Sequence, residues 1–289
     1  DLRPMPQYLP ITLRTAAAFR TAVLLAAATV LLAPAARAQL RPLDAFDWRV
    51  LEGEGTVVVE AGGGRLGDQR ASLAGTEGTL WEAGNVRAFW RTGRVVIEAG
   101  GTVRRIFGER GRFAAAEPFV TVDDDGKRAD SGDYRIATAV RLTNEGAPVA
   151  ALLRFGTRLP TTDNREGLDR DATDFFATLG GRMRRGPFAL QAEAGVGIFG
   201  TRDPDFEQDD LLVYAVKAEY DAGIVVPSLS IVGQQVGAGH SEIRGNESLG
   251  EVRAGLRVGR REFVRAEVVR GYTDFSPGWG VLVSAGVVR

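Results

Sequence analysis

The chain has 289 residues, of which 44% are hydrophobic and 25% charged, the proportions of an ordinary globular protein. That balance excludes disorder, collagen and coiled coils. A single long uncharged apolar run also excludes a polytopic helical membrane protein. The absence of cysteine removes disulfides, thiol nucleophiles and thiolate metal sites, and a lone histidine, His240, removes most zinc chemistry.

The first element reads as an address. Arg14 and Arg20 precede the apolar run Thr21 to Ala33, Pro34 breaks it, and Ala36-Arg37-Ala38 forms an A-x-A cleavage site. Residues 1–38 are therefore expected to be a signal peptide, the run being short for a membrane anchor. Asp1 to Pro4 precede Met5 and read as translated from upstream of the start. Residues 1–38 carry four arginines and one aspartate, so their removal takes the formal charge from −1 to −4. A mildly acidic chain gives no reason to expect nucleic acid as a partner. Residues 39–53 then read as a periplasmic N-terminal segment, with Phe46 and Trp48 able to fold back into a barrel mouth.

From residue 54 onward the apolar residues recur at every second position. Leu190, Ala192, Ala194, Val196 and Ile198 alternate with Gln191, Glu193, Gly195 and Gly197, and Val252, Ala254, Leu256 and Val258 with Glu251, Arg253, Gly255 and Arg257. A period of two sets one apolar face against one polar face. The predicted strands are 54–62, 80–91, 94–107, 133–143, 147–159, 172–184, 187–200, 210–221, 224–237, 248–259, 262–273 and 277–288. Most exceed the five or six residues usual in soluble proteins and suit a tilted membrane crossing of about 9–11 residues plus rims.

The connections alternate. Thr92-Gly93, Asn144 to Gly146, Arg185-Gly186, Ala222-Gly223 and Arg260-Arg261 are short, whereas 63–79, 108–132, 160–171, 201–209 and 238–247 are long. Only 274–276 breaks the pattern. Short turns on one side, long loops on the other and an even strand number are the layout of outer-membrane barrels. The expected fold is thus an all-β transmembrane antiparallel meander barrel over residues 54–289, of twelve strands, or ten if 54–62 is not one. Hydrocarbon offers no partner to an exposed sheet edge, so the first and last strands are expected to pair. Trp90, Tyr134, Phe188, Tyr220, Tyr272 and Trp279 fall near strand ends, where aromatic girdles sit. Pro227 falls inside a predicted strand and calls for a later start or a bulge.

The stretch Leu152-Leu-Arg-Phe-Gly-Thr-Arg-Leu-Pro-Thr-Thr-Asp163, followed by Gly167 and Asp171-Ala-Thr-Asp174, resembles a segment of the outer-membrane family known as "MetA-pathway of phenol degradation", also described as transporters. There a strand ending in "lPTGd" leads through a polar loop to a strand opening with acidic and threonine residues. Here Thr162 replaces the glycine. The resemblance implies an outer-membrane location and solute passage, with no substrate named. A typical barrel ends in an aromatic residue read by the assembly machinery, and this chain ends Val287-Val288-Arg289, as an atypical terminus or a fragment would.

Candidate chemistry is sparse. His240-Ser241 is an adjacent pair, and adjacent residues on a strand point to opposite faces, so the two read as part of a polar loop rather than a hydrolase site. Asp123-Asp124-Asp125-Gly126 misses EF-hand spacing, with Thr121 at the first position and Gly132 at the twelfth. Asp203, Asp205, Glu207, Asp209 and Asp210 form a second acidic loop, and both loops read as solvated charge. Gly100-Gly101 and Gly180-Gly181 lie inside predicted strands with no helix following, which is not the context of a phosphate loop. No cofactor, metal site or catalytic residue is expected.

The inward face is the functional candidate. It comprises Arg87, Glu98, Arg104, Arg135, Arg141, Arg154, Arg158, Arg182, Glu193, Lys217, Glu219, Glu251, Arg253, Arg257, Arg265 and Glu267, eleven cations against five anions. Rings of arginine suit anions. The expected function is passive passage of small solutes with weak anion preference and no covalent chemistry. The alternatives are a closed barrel with a structural or surface-interaction role through its loops, and a lipid-modifying enzyme. The expected partners are outer-membrane lipid and lipopolysaccharide, the barrel-assembly machinery and an unnamed small solute. The fold-level alternative, a soluble periplasmic barrel, would bury Val196, Ile198, Leu256 and Val283 inward.

Overall fold

The computed structural model describes residues 40–53, 56–121, 125–160, 165–168, 172–201, 208–237 and 244–289. The signal peptide, His240-Ser241, Asp123-Asp124, Asp203 to Glu207, Thr161 to Asp163 and Asp171 lie outside the described residues. A four-residue helix, α1 (Arg49–Glu52), is followed by thirteen strands. They are β1 (Val57–Ala71), β2 (Thr76–Thr92), β3 (Val95–Arg112), β4 (Lys127–Asp130), β5 (Tyr134–Arg141), β6 (Val149–Leu159), β7 (Asp174–Arg185), β8 (Phe188–Gly200), β9 (Gln208–Tyr220), β10 (Val225–Val236), β11 (Leu249–Val258), β12 (Glu262–Gly271) and β13 (Trp279–Val288).

All pairings are antiparallel and each strand neighbours the next in the chain. β4 and β5 are one strand interrupted at residues 131–133. Both pair with β3 in a single register, Arg105 opposite Asp130 and Gly101 opposite Tyr134. At the interruption the Gly132 N–H donates to the Thr102 carbonyl at 2.7 Å. The barrel therefore has twelve staves. β1 closes it by pairing with β13, from Val58 opposite Val288 to Gly67 opposite Trp279. Pro227 pairs with Leu256 of β11 and lies just outside the β9 ladder, which starts at Ser228, so its missing N–H costs that ladder nothing.

From β5 to β13 the strand boundaries follow the period-two reading to within two or three residues. The first three strands run longer. The Ala61 to Gly64 run, which reads as a strand end, lies in the middle of β1, and the expected loop 63–79 is a four-residue turn at 72–75. Gly62 and Gly64 explain why: a Cβ at either would meet backbone atoms of β13 at 2.2–2.6 Å, so glycine here marks close strand approach rather than a turn. β3 extends to Arg112, well into the expected loop 108–132, and the connection after β12 spans 272–278 rather than 274–276.

Side chains sort by face. Leu179 is 61% exposed and Val196 53%, and Ile198, Leu256 and Val283 share that outer surface. Facing water, an apolar belt of this extent would be an aggregation hazard, whereas facing lipid it is a solvent match. Among the described residues no helix is long and apolar enough to cross a membrane. Trp90, Phe188 and Tyr220 are exposed near the end with the tight turns 93–94 and 186–187, hereafter the turn end. Phe188 and Tyr220 meet edge to face with centroids 4.7 Å apart. Trp81, Tyr272 and Trp279 are exposed toward the opposite, loop end, with the Arg65 guanidinium 5.2 Å from one tryptophan ring and 4.9 Å from the other.

A charge placed on this belt tests the membrane-facing assignment. Val196→Arg should cost about 2–4 kcal/mol near the midplane. It should lower the fraction of heat-modifiable, folded protein recovered in lipid vesicles, and recovery at the wild-type level would show that Val196 does not face lipid.

Candidate functional site

Among the described residues, charged side chains gather in the lumen, away from lipid. Alternation along the strands brings them there. Fifteen of the sixteen residues read as inward lie on the interior face: Arg87, Glu98, Arg135, Arg141, Arg154, Arg158, Arg182, Glu193, Lys217, Glu219, Glu251, Arg253, Arg257, Arg265 and Glu267. Arg104 is the exception. It is exposed on the outer face, and its neighbour Arg105 points inward to Glu82 at 2.8 Å. The cause is a bulge. Gly62 of β1 pairs with Asn85 of β2 and Gly63 with Ala83, leaving Gly84 as the extra residue. Gly84 has φ 68°, which favours glycine, and Val103 of β3 lies directly against it. Across this point both strands change face: Glu82 and Asn85 both point inward on β2, as do Thr102 and Arg105 on β3.

The interior is not the positive surface that the sequence list implies. Glu60, Glu82, Asp133 and Asp174 also line it, and each answers an arginine. Arg154, fully buried, pairs with Glu98 at 2.7 Å and Glu193 at 3.1 Å and lies over the rings of Phe46 and Phe176. Arg135 reaches Glu98 at 3.1 Å, Arg182 reaches Glu219 at 3.2 Å, and Lys217 reaches the same Glu219 at 2.9 Å. Arg158 bridges Asp133, at 3.0 Å, and Asp174. Arg257 stacks on Phe263 with its guanidinium carbon 3.8 Å from the ring centroid and donates to the Arg260 carbonyl. Arg141 donates to the Asn144 carbonyl at the turn end.

Residues 40–53, read as a periplasmic segment able to fold back into the barrel mouth, run through the barrel. Leu40 packs with Leu66, Leu73, Leu80, Phe107 and Leu168 toward the loop end. Phe46, Trp48, Val50 and Leu51 pack with Val58, Phe89, Val96 and Phe263 toward the turn end. The eight steps from Leu40 to Trp48 reach at most about 26–29 Å when extended, close to the hydrocarbon thickness of about 30 Å. Each charge on the segment meets a wall charge. Arg41 pairs with Glu251 at 3.1 Å and Glu82 at 3.6 Å, and Asp44 with Arg253 at 2.5 Å and Arg87 at 3.9 Å. Asp47 pairs with Arg265 at 3.0 Å, Arg49 with Glu219 at 3.6 Å, and Glu52 with Arg182 at 3.3 Å. Side chains also serve its backbone: Gln191 donates to the Phe46 carbonyl at 2.9 Å, Arg154 to that of Asp44 at 2.9 Å and Arg91 to that of Leu51 at 2.8 Å.

Between segment and wall remains a cavity of about 210 Å³, lined by Arg87, Asn85, Thr102, Arg105, Arg135, Lys217, Glu267 and Ser284 among others. These donors and paired charges share the lining with apolar side chains such as Leu43, Phe176, Phe199 and Leu282. The acids on 40–53 and the inward Glu60, Glu82, Asp133 and Asp174 are what the sequence reading missed. For those on 40–53 the sequence signal is the interleaving of Arg41, Asp44, Asp47 and Arg49 with Leu43, Phe46 and Trp48, too apolar for a solvated tail.

No family model matches the chain, and no curated protein matches it. Its architecture is that of an outer-membrane β-barrel, by the closed sheet, the apolar belt and the charged lumen. Solved structures similar to it include the translocator domain of the autotransporter NalP from Neisseria meningitidis, 14% identical over 82% of this chain and 89% of that one, with a TM-score of 0.46. Outer membrane phospholipase A from Escherichia coli is 13% identical over 80% and 90%, with a TM-score of 0.43. The outer membrane channel DcaP of Acinetobacter baumannii is 10% identical over 81% and 96%, with a TM-score of 0.41. At such identities no role passes from those proteins to this chain.

Truncating the hub of the network should be costly. Arg154→Ala leaves Glu98 and Glu193 buried beside a lost partner and should destabilise the barrel by about 3–5 kcal/mol. Arg104→Ala, on the exposed face, should stay within about 0.5 kcal/mol. Urea unfolding midpoints in detergent measure both, and equal losses would refute the assigned faces.

Proposed function

We propose that the protein is a bacterial outer-membrane barrel for passage of small solutes, with a weak preference for anions and no covalent chemistry. Its tight turns face the periplasm, its long loops meet lipopolysaccharide, and its strands are inserted by the barrel-assembly machinery after a signal peptide is removed. The observation that carries this reading is the lumen itself: a wall rich in hydrogen-bonding charged groups around a cavity, crossed by one non-strand segment. The segment blocks the direct path, so passage requires residues 40–53 to shift. It brings Asp44, Asp47 and Glu52 against Arg41 and Arg49. Its departure strips carboxylates from Arg253, Arg87, Arg265 and Arg182, and that is the source of the anion preference. The resemblance of residues 152–174 to a transporter family fits the same reading.

A second reading has an observation of its own. The ion pairs from Arg41 to Glu52 hold the segment at both ends of the barrel, as suits a permanently closed barrel acting through its loops.

Planar-bilayer conductance separates the two. The full chain should give small or rare openings, and a variant lacking residues 40–53 should give larger discrete steps with a reversal potential displaced toward anions. If both insert as heat-modifiable barrels and both stay silent, the closed-barrel reading holds and passage is refuted.

A further inference from the structure

The lumen contains a cluster of guanidinium groups that the protein itself does not fully satisfy. Arg105 is 6% exposed and Arg253 5%. Each spends one face on a carboxylate: Arg105 Nε on Glu82, Arg253 Nε and Nη1 on Glu251 and Asp44. Arg105 Nη1, Arg253 Nη2, Arg87 Nε and Nη2 and Arg135 Nε have no acceptor within the described protein. All four arginines line the same cavity. A buried donor left without an acceptor carries a free-energy penalty, larger when the donor is charged.

Asp44 lies against two of these arginines. One carboxylate oxygen meets Arg253 at 2.5 Å, whereas the other stands 3.9 Å from Arg87, beyond hydrogen-bond reach. A two-oxygen side chain tethered to a backbone cannot meet several forks at once. A free anion with three or four oxygens can, because guanidinium groups pair bidentately with phosphate and carboxylate. The cavity of about 210 Å³ has room for such a group, a single water needing about 10–15 Å³ on the same measure.

We infer that the lumen holds a binding site for a small multi-oxygen anion, a phosphate or a compact carboxylate, formed by Arg87, Arg105, Arg135 and Arg253, and that Asp44 is its resident competitor. The inference rests on the solute-passage reading for its biological use, but the site is defined by its own geometry. Binding of the free anion then removes an anchor of residues 40–53 and couples occupancy to the position of the segment.

Titration calorimetry of the folded full-length protein in detergent, in low-chloride buffer with inorganic phosphate as the probe, tests it. Asp44→Asn keeps the side-chain volume but removes the competing charge, and should tighten phosphate binding by about tenfold. Arg87→Gln and Arg135→Gln should each weaken it by about tenfold relative to wild type, two variants guarding against one that does not fold. Heat-modifiable mobility verifies folding in each case. Asp44→Asn binding no more tightly than wild type, or no phosphate binding to either, would overturn the site. Binding in the expected order alongside a silent segment deletion would refute passage and leave the site standing. Conductance without phosphate binding would do the reverse.

Discussion

A backbone amide in hydrocarbon has no water to turn to, so every strand of this chain must find a neighbour on both sides. The pairing of β1 with β13 meets that demand. It runs without a register shift from Val58–Val288 to Gly67–Trp279, and beyond it the Arg289 carbonyl still accepts from the amides of Thr56 and Val57. Closure fixes the rest. Once the sheet is a cylinder, alternation leaves each side chain one of two environments. Most leucines, valines and aromatics take the outside, and arginines and glutamates share a narrow interior with the apolar clusters toward its two ends.

That interior creates the second demand. Charges confined in low dielectric are costly unless paired and hydrogen-bonded, and a twelve-stave barrel is too narrow to hold a wide column of water around them. The wall strands supply part of the compensation, through Glu98, Glu193, Glu219 and Glu251. The rest comes from residues 40–53, whose Asp44, Asp47 and Glu52 reach arginines on β2, β7, β11 and β12. The segment is therefore part of the electrostatics of the wall. Buried ion pairs of this kind add little net stability against apolar substitutes, but they fix one arrangement. Here they hold an otherwise irregular stretch of chain in a single position.

Much of the barrel is legible as period two because a strand with one lipid face and one polar face repeats its preference at every second residue. Glu193 and Val196 on β8, or Arg253 and Leu256 on β11, declare their faces from local pattern alone. The pattern fails where the chain uses glycine for proximity. Gly62 and Gly64 read as a break and are instead points where β13 comes close. Gly84 reads as one more strand residue and is the bulge that turns Arg104 outward and Arg105 inward. A glycine gives no local sign of which of these uses it serves, because the use depends on what stands opposite.

The sequence by itself determined the all-β class, the even strand count and the faces of most strand residues, since each follows from composition or from spacing within a dozen residues. Tertiary structure alone decided where residues 40–53 go and which carboxylate answers which arginine. Arg41 and Glu251 are 210 residues apart in the chain and 3.1 Å apart in the lumen. Barrel closure brings them together, and because Coulomb attraction acts on distance in space, no pattern along the chain records it.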